Sequence, residues 1–478
     1  MLFFNSKFQF SVKMSKRTLP ERAAKAKKPR IEQEKIELEE QEIERPYENL
    51  SDLENLPDEI AEKVIESLSA QDVMKLSLVS RRMRNFIAGS FEARKKLVFY
   101  FPTRKSEAFD TKEWKEATGQ RNYSRIVFND ALSGHVLTKA LHPLNIFGSF
   151  VKEIKFNSYS TKPMMSKLLQ LCPKVESIII MKPLPYDWKF HTKLPEVAFN
   201  EAKEICPHLN ELKLPATSSL LDLFLKCQVK HFEVFDETRG ISNARIKFFL
   251  TKQQKLETLK LTTSSYQLFS SEGSIFGEVP FKLKQLTLQL SNWFTQQDYS
   301  NFQSFVNCQK ETLEYLKLSS YNDQFDVLSP FAECRLLKSV DLDNYTMSDF
   351  VVLYLVEKIK ICRLTARGGL KFNEKFPNLK EIEFTNGHFP TLLRNGIAQL
   401  EQLEKLTLYW TPFNTLTLLN VTTLVLKSCT LSQRSKIIAV NGKLSHLYLI
   451  NCNLSEWLTS FVNQLDTNLE LLHCSQMR

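Results

Sequence analysis

The sequence predicts an α/β solenoid: a small all-α module followed by a curved array of repeats whose parallel strands line the concave face. Two patterns carry this expectation. Short segments with apolar residues at their first, fourth and sixth positions recur from Tyr123 to Leu449, with starts 18 to 34 residues apart. A unit of that length holds one strand and one return segment, and it buries its apolar side only by stacking on its neighbours. Ahead of the repeats, Leu56 to Ala88 carries apolar residues at helical spacing in several short pieces. At 478 residues the chain exceeds the limit of about 250 to 300 residues for one core, which favours an elongated array.

Residues 1–50 read as a disordered, charge-segregated tail. Met1 to Arg30 holds nine basic residues against the single acid Glu21, whereas 31–60 holds twelve acids against Lys35 and Arg45. Beyond Phe3, Phe4, Phe8 and Phe10 little there can seed a core. Lys16 and Arg17 precede Lys25, Lys27, Lys28 and Arg30 at the spacing of a two-part nuclear-import signal, and a plain solvated tail is the competing reading. Met14 would serve as an alternative start that keeps the signal. No aromatic residue interleaves with Lys25 to Arg30, so nucleic acid is the least favoured partner.

The helical module is expected over 51–95. Leu56, Ile60, Val64 and Leu68 recur every fourth residue, Pro57 suits a first helical turn, and Asp58 and Glu59 complement the helix dipole. One helix therefore spans about Pro57 to Leu68, a connection ends in a cap at Asp72, and Val73, Leu76 and Val79 form a second stripe. Ser80 caps a third helix carrying Met83, Phe86 and Ile87. Fewer than about 40 residues bury too little surface to hide all these side chains, so some of them face a partner.

In order and spacing, Leu56-Pro57, Glu59-Ile60, Val64, Leu68, Asp72-Val73, Leu76 to Ser80 and Arg81-Arg82 resemble the F-box, through which substrate adaptors of cullin-based ubiquitin ligases dock on the Skp-type adaptor protein. Met83 departs from the family, which usually has Trp there, and a flexible thioether fills an aromatic's site with less specificity. The resemblance implies docking through Leu56, Pro57, Ile60, Val64, Leu68, Val73, Leu76, Val79 and Met83.

Residues 96–122 carry no usable pattern and are expected to connect the module to a solenoid over 123–478. The triplets begin Tyr123-Ile126-Phe128, Val151-Ile154-Phe156 and Val175-Ile178-Ile180, and run through Leu256-Leu259-Leu261, Leu313-Leu316-Leu318, Leu337-Val340-Leu342, Ile359-Cys362-Leu364 and Leu379-Ile382-Phe384 to Leu444-Leu447-Leu449. Their mean spacing falls inside the leucine-rich-repeat period of about 20 to 29 residues. The copies from Val421 and Leu444 extend to Cys429-Leu431 and Cys452-Leu454 and are similar to that family's consensus, which makes Cys429 and Cys452 buried and inert. Helical stretches between triplets end in Cys172-Pro173, Cys206-Pro207 or Phe376-Pro377, where proline stops the helix and favours extended chain.

Nine singly spaced cysteines, without a Cys-x-x-Cys pair, argue for reduced thiols inside a cell, in nucleus or cytoplasm. The longest apolar run, Phe350 to Val356, is far too short for a bilayer of about 30 Å. No phosphate-cradling loop, nucleophile elbow or metal-ligand spacing of histidines occurs, so no catalytic residue, metal or cofactor is assigned.

From Asn55 onward the chain resembles the F-box and leucine-rich-repeat class of ubiquitin-ligase adaptors. That resemblance implies a non-catalytic subunit that docks on the Skp-type adaptor, and through it on the cullin scaffold, and holds a protein target near the ubiquitin-carrying enzyme at high effective concentration. The alternative is a non-ligase leucine-rich scaffold or nuclear regulatory protein. Strand residues at positions three, five and seven of each repeat face the concave surface. There Tyr315, Tyr409 and Tyr448, with Trp410 beside one of them, are the expected target contacts, because large amphipathic rings dominate binding energy.

Overall fold

The computed structural model describes residues 56–77, 79–96, 98–101, 123–130, 134–158, 160–182, 200, 203–215, 219–235, 243–262, 269, 279–290, 295–320, 326–347, 352–366, 372–385, 396–411, 413–431, 435–453 and 469–475. The chain divides into Met1–Asn55 and Leu56–Arg478. The first unit, with Lys16, Arg17, Lys25, Lys27, Lys28 and Arg30, lies outside the described residues.

The second unit opens with four short helices: α1 (Asp58–Ser67), α2 (Ala70–Leu76), α3 (Arg81–Gly89) and α4 (Phe91–Lys96). Pro57 precedes α1, and Asp58 and Glu59 occupy its first turn. The cap of α2 is Ser69 rather than Asp72: the Ser69 hydroxyl accepts the Asp72 N–H at 3.2 Å and donates to the Asp72 carboxylate at 2.6 Å. Serine serves as cap while Asp72, three residues on, adds charge in the first turn, so the helix starts earlier than expected. Ser80 caps α3 through the Met83 N–H, as expected. Ile65, Val73, Ile87 and Ala93 form the module's core, flanked by Leu68, Leu76, Phe86 and Tyr123.

Two polar contacts tie α4 across α1. The Lys96 ammonium donates to the carbonyls of Ile65, Glu66 and Leu68 at 2.7, 2.5 and 2.5 Å, at and just beyond the end of α1, where the Ile65 carbonyl also accepts the Leu68 N–H. The Glu62 carboxylate accepts from the Ser90 hydroxyl and the Glu92 N–H.

A single parallel sheet follows. Its strands in chain order are β1 (Val98–Phe101), β2 (Arg125–Phe128), β3 (Glu153–Phe156), β4 (Ser177–Ile180), β5 (Glu211–Pro215), β6 (His231–Phe235), β7 (Thr258–Thr262), β8 (Gln285–Leu290), β9 (Tyr315–Ser320), β10 (Ser339–Met347), β11 (Lys358–Ala366), β12 (Glu381–Thr385) and β13 (Lys405–Tyr409). After β13 the sheet continues through β15 (Thr423–Lys427), β17 (His446–Ile450) and β18 (Leu471–Ser475), while β14 (Thr415–Leu418) and β16 (Lys436–Ala439) pair with each other separately. Sixteen strands in sequence order, each hydrogen-bonded to the next, make a curved α/β solenoid behind the helical module. The sheet already begins at Val98, inside the stretch 96–122 read from the sequence as a connection, and β1 pairs with β2 residue for residue.

Positions one, four and six of the repeats are buried almost without remainder, as at Leu313, Leu316 and Leu318. They meet the apolar sides of α5 (Gly134–Phe147), α6 (Lys162–Leu171), α7 (Asn243–Thr251) and α8 (Gln296–Gln309) in one continuous core. In the first strands phenylalanine replaces leucine at position six, and the rings of Phe101, Phe128 and Phe156 stack at 4.2 and 5.0 Å. Buried amides staple neighbouring repeats: Gln253 accepts the Val229 N–H and donates to the Cys227 carbonyl, and Gln309 accepts the Leu283 N–H.

One repeat is read differently by the fold. Ile359 pairs with Val340 and with Ile382, both at position four. The core triplet of β11 is therefore Val356-Ile359-Ile361, not Ile359-Cys362-Leu364, and Cys362 is only half-buried. Both triplets satisfy the spacing, and the neighbouring registers decide between them. The stretches after β13 and β15, taken as helical from the general pattern, instead supply β14 and β16, whose inward Leu416 and Leu418 join the same core.

Candidate protein-docking surfaces

The helical module sorts its predicted docking residues into two groups. Pro57, Ile60 and Val79 are exposed, Ile60 by 43% and Val79 by 61%, and Leu56 and Val64 are half-buried. Val73 at 0% and Met83 at 4% are inside the module. Val73 belongs to the core with Ile65, and Leu68 and Leu76 lean on that core. A helix of this size needs an apolar stripe to fold at all, and spacing alone does not separate that stripe from the one left for a partner. The exposed aliphatic surface at Ile60 and Val79 is the part a second protein can cover.

Along the solenoid, residues at positions three, five and seven face away from the helices, and the registers line them up in rows. Through the middle strands these rows are paired charges. The Lys317 ammonium lies 3.1 Å from Asp341, Lys358 3.2 Å from Glu381, Lys360 2.7 Å from Glu383 and Arg363 3.2 Å from Asp343. Glu233 stands between Lys213 and Lys260, and Glu381 also meets Lys405 at 3.7 Å. Tyr315 belongs to this network. Burial, aided by the Asp341 carboxylate, pushes its phenol up to about 12.

From β13 onward the rows change character. The three inner positions on each of β13, β15, β17 and β18 hold no Asp or Glu; they are Lys405, Thr407, Tyr409, Thr423, Val425, Lys427, His446, Tyr448, Ile450, Leu471, His473 and Ser475. Tyr409, Lys427 and Ile450 are neighbours in one row. The rings of Tyr409 and Trp410 touch at a centroid distance of 4.5 Å, and Tyr448 sits 5.9 Å from His473. Tyr409, Trp410 and Tyr448 therefore gather at one end of the array, and Tyr315 does not join them, because four strand steps of about 4.8 Å separate β9 from β13.

Trp410 is 52% exposed and has φ of 52°. Ser428 and Asn451, at the equivalent eighth position of their repeats, share this left-handed backbone at 52° and 55°. In each case the N–H donates to the last strand residue of the next repeat: Trp410 to Lys427, Ser428 to Ile450 and Asn451 to Ser475. The turn thus positions the following Thr411, Cys429 and Cys452 inward. Their side chains donate to strand carbonyls, Thr411 to Tyr409, Cys429 to Leu408 and Cys452 to Leu426. Arg363, at the eighth position of its own repeat, has the same backbone at 55°, so the conformation belongs to the turn and is adopted by Asn and bulky side chains alike.

Lys427, His473 and Leu471 join this surface beyond the residues expected from the sequence, through position seven of the Val421 repeat and the partial copy after Leu469. The period-two rule applied to those copies would have found them. Among the described residues no group of three His, Cys, Asp or Glu is arranged to hold a metal. No helix among them is long and apolar enough to cross a membrane.

The F-box domain family matches residues 53–90 of this chain. No curated protein sequence matches the chain significantly. Among solved structures it is similar to a chain of the Toll–Spatzle complex, a molecular hub in Drosophila development and innate immunity, at 15% identity and a TM-score of 0.35, covering 80% of this chain and 54% of that one. It is also similar to a chain of the LRIM1/APL1C complex at 13% identity and a TM-score of 0.31, covering 80% of this chain and 70% of that one. The chain spans about half the length of the Toll-complex chain it resembles. The protein carries an F-box domain at residues 53–90, followed by a solenoid of parallel strands.

Proposed function

We propose that this protein is the substrate-recognition subunit of an SCF-type E3 ubiquitin-protein ligase. Its F-box docks on a Skp-type adaptor and through it on the cullin scaffold, and its repeats hold a protein target for modification. The observation that carries the reading is the F-box at 53–90 with Ile60 and Val79 left exposed on it. F-box domains generally bind Skp1-type adaptors, and exposed aliphatic side chains on a small, otherwise satisfied module are the surface such a partner removes from water. In this reading the chain itself does no chemistry, and its contribution to ubiquitin transfer is effective concentration. The apolar, aromatic end of the inner face is the part assigned to the target, because large amphipathic rings supply most binding energy at protein interfaces.

The test is co-purification. The full chain, expressed with the Skp-type adaptor and cullin, is expected to elute with both as one complex. Elution of the intact, folded chain free of the adaptor would remove the ligase reading and leave a leucine-rich scaffold.

A further inference from the structure

We infer that Lys427 is the anchor for an anionic side chain, carboxylate or phosphate, carried by the apolar peptide segment that the aromatic end of the inner face binds. This deepens the proposed function and rests on its assignment of that face to the target. Lys427 is set apart from the inner-row lysines of β5 to β13, though not from Lys155 on β3, which lies between Val127 and Ile179 and likewise has no ion pair among the described residues. Lys213, Lys260, Lys317, Lys358, Lys360 and Lys405 each lie within ion-pairing distance of a carboxylate on an adjacent strand. Lys427 has no such carboxylate among the described residues, since the inner positions of β13, β17 and β18 supply none.

Its surroundings are those of a binding site rather than a solvated wall. In register, Lys427 lies between Tyr409 and Ile450, with Val425 two residues before it on the same strand. Trp410 is attached to the same strand by its N–H bond to the Lys427 carbonyl at 3.0 Å. Lys427 thus brings a positive charge to the row of Tyr409 and Ile450, where a bound segment would exclude water and strengthen any charge pairing. His446 and His473, on the two following strands, add ring N–H groups and no negative charge. Trp410 itself is 52% exposed, and its left-handed backbone is that of the eighth position, shared by Arg363, Ser428 and Asn451.

The chemistry that fits is a short segment with aromatic or aliphatic side chains on either side of one acidic group. A library of short peptides with a fixed central Asp, phosphoserine, Asn or Lys, the flanks drawn from apolar residues, tests this against the full chain in complex with its adaptor. The wild type is expected to retain the Asp or phosphoserine pools about tenfold better than the Asn pool, as one charged hydrogen bond implies. Lys427→Glu is expected to invert the order in favour of the Lys pool. The Asp and phosphoserine pools separate a carboxylate from a phosphate ligand. Equal retention of all pools by the wild type, or an unchanged order in Lys427→Glu, overturns the anion assignment. If that happens while Tyr409→Ala with Tyr448→Ala still abolishes retention, the face remains the recognition surface and only the Lys427 role is lost. Failure of the wild type to retain any pool overturns both.

Discussion

Replacing Ile60 and Val79 together by Ala tests the docking reading where the structure is most explicit. Ile60 is 43% exposed and Val79 61%, so a partner can bury only those fractions. Full burial of an aliphatic side chain contributes about 1.5 to 3 kcal/mol. Scaled by exposure, Ile60 offers roughly 0.6 to 1.3 and Val79 roughly 0.9 to 1.8 kcal/mol to an interface. The sum, roughly 1.5 to 3 kcal/mol, corresponds to about a ten- to hundredfold weaker Kd. Calorimetric titration of the full chain with the Skp-type adaptor reads this directly, and a thermal melt of the same variant should be unchanged, because neither side chain belongs to the core of Ile65, Val73, Ile87 and Ala93. Val73→Ala is the contrasting control. Fully buried, it should lower the melting temperature of the module and affect docking only through folding. Affinity of the Ile60, Val79 double variant within twofold of wild type would refute the reasoning, since no comparable exposed aliphatic pair remains on α1 to α3 among the described residues.

Three further outcomes are expected. Lys96→Met removes a cation that bonds three carbonyls at the end of α1 and just after it and should cost about 1 to 3 kcal/mol of stability, read as a lower denaturation midpoint. Burial pushes the thiols of Cys172, Cys206 and Cys334 up to about 12 from an ordinary 9.0. The unfolded chain therefore releases these protons first, and stability should fall as pH rises from about 9 towards 12; a Cys172→Ala, Cys206→Ala, Cys334→Ala chain should show a shallower alkaline loss. For the tail, residues 1–50 fused to an inert reporter should concentrate it in nuclei through Lys16, Arg17 and Lys25 to Arg30, and an even cellular spread would sink that proposal.

Much of the fold was legible because the repeat enforces itself. A residue such as Leu316 is buried by strands on both sides and by α8, so position four tolerates little but a branched or aromatic apolar side chain and announces itself in the sequence. The slip at Ile359 shows the limit. Val356-Ile359-Ile361 and Ile359-Cys362-Leu364 satisfy the same spacing, and only hydrogen-bonded registers with β10 and β12 choose between them. The entry of the sheet at Val98 was hidden for another reason: Val98, Phe99, Tyr100 and Phe101 form one apolar run without the leucine spacing, and their strand character comes from pairing with β2. In the docking module, Val73 and Val79 look alike as aliphatic stripe residues, yet one is sealed and the other open. Which of two apolar faces a small helix buries depends on how the next helix crosses it, and that angle is not written at the residue itself.

The location of a recognition surface follows from the charge rows more firmly than from the aromatic residues alone. Over β6 to β12 a ligand lying on the inner face would have to displace water from pairs such as Lys360 with Glu383 and Lys317 with Asp341. These pairs are partly exposed and individually contribute little to stability. Covered by an apolar partner they would lose hydration at a cost that their mutual attraction repays only with added hydrogen bonds. Those pairs also satisfy one another, so a charged ligand gains little by competing for them. Beyond β13 neither obstacle exists. The rows hold rings, small hydroxyls and Lys427, and burying them recovers apolar area with one charge to match. On the proposed function a partner is selected against the middle of the array and toward its aromatic end, and introducing Glu at the half-buried Ile450 should weaken target capture there while the same change at the half-buried Gln289, within the polar rows, should leave it intact.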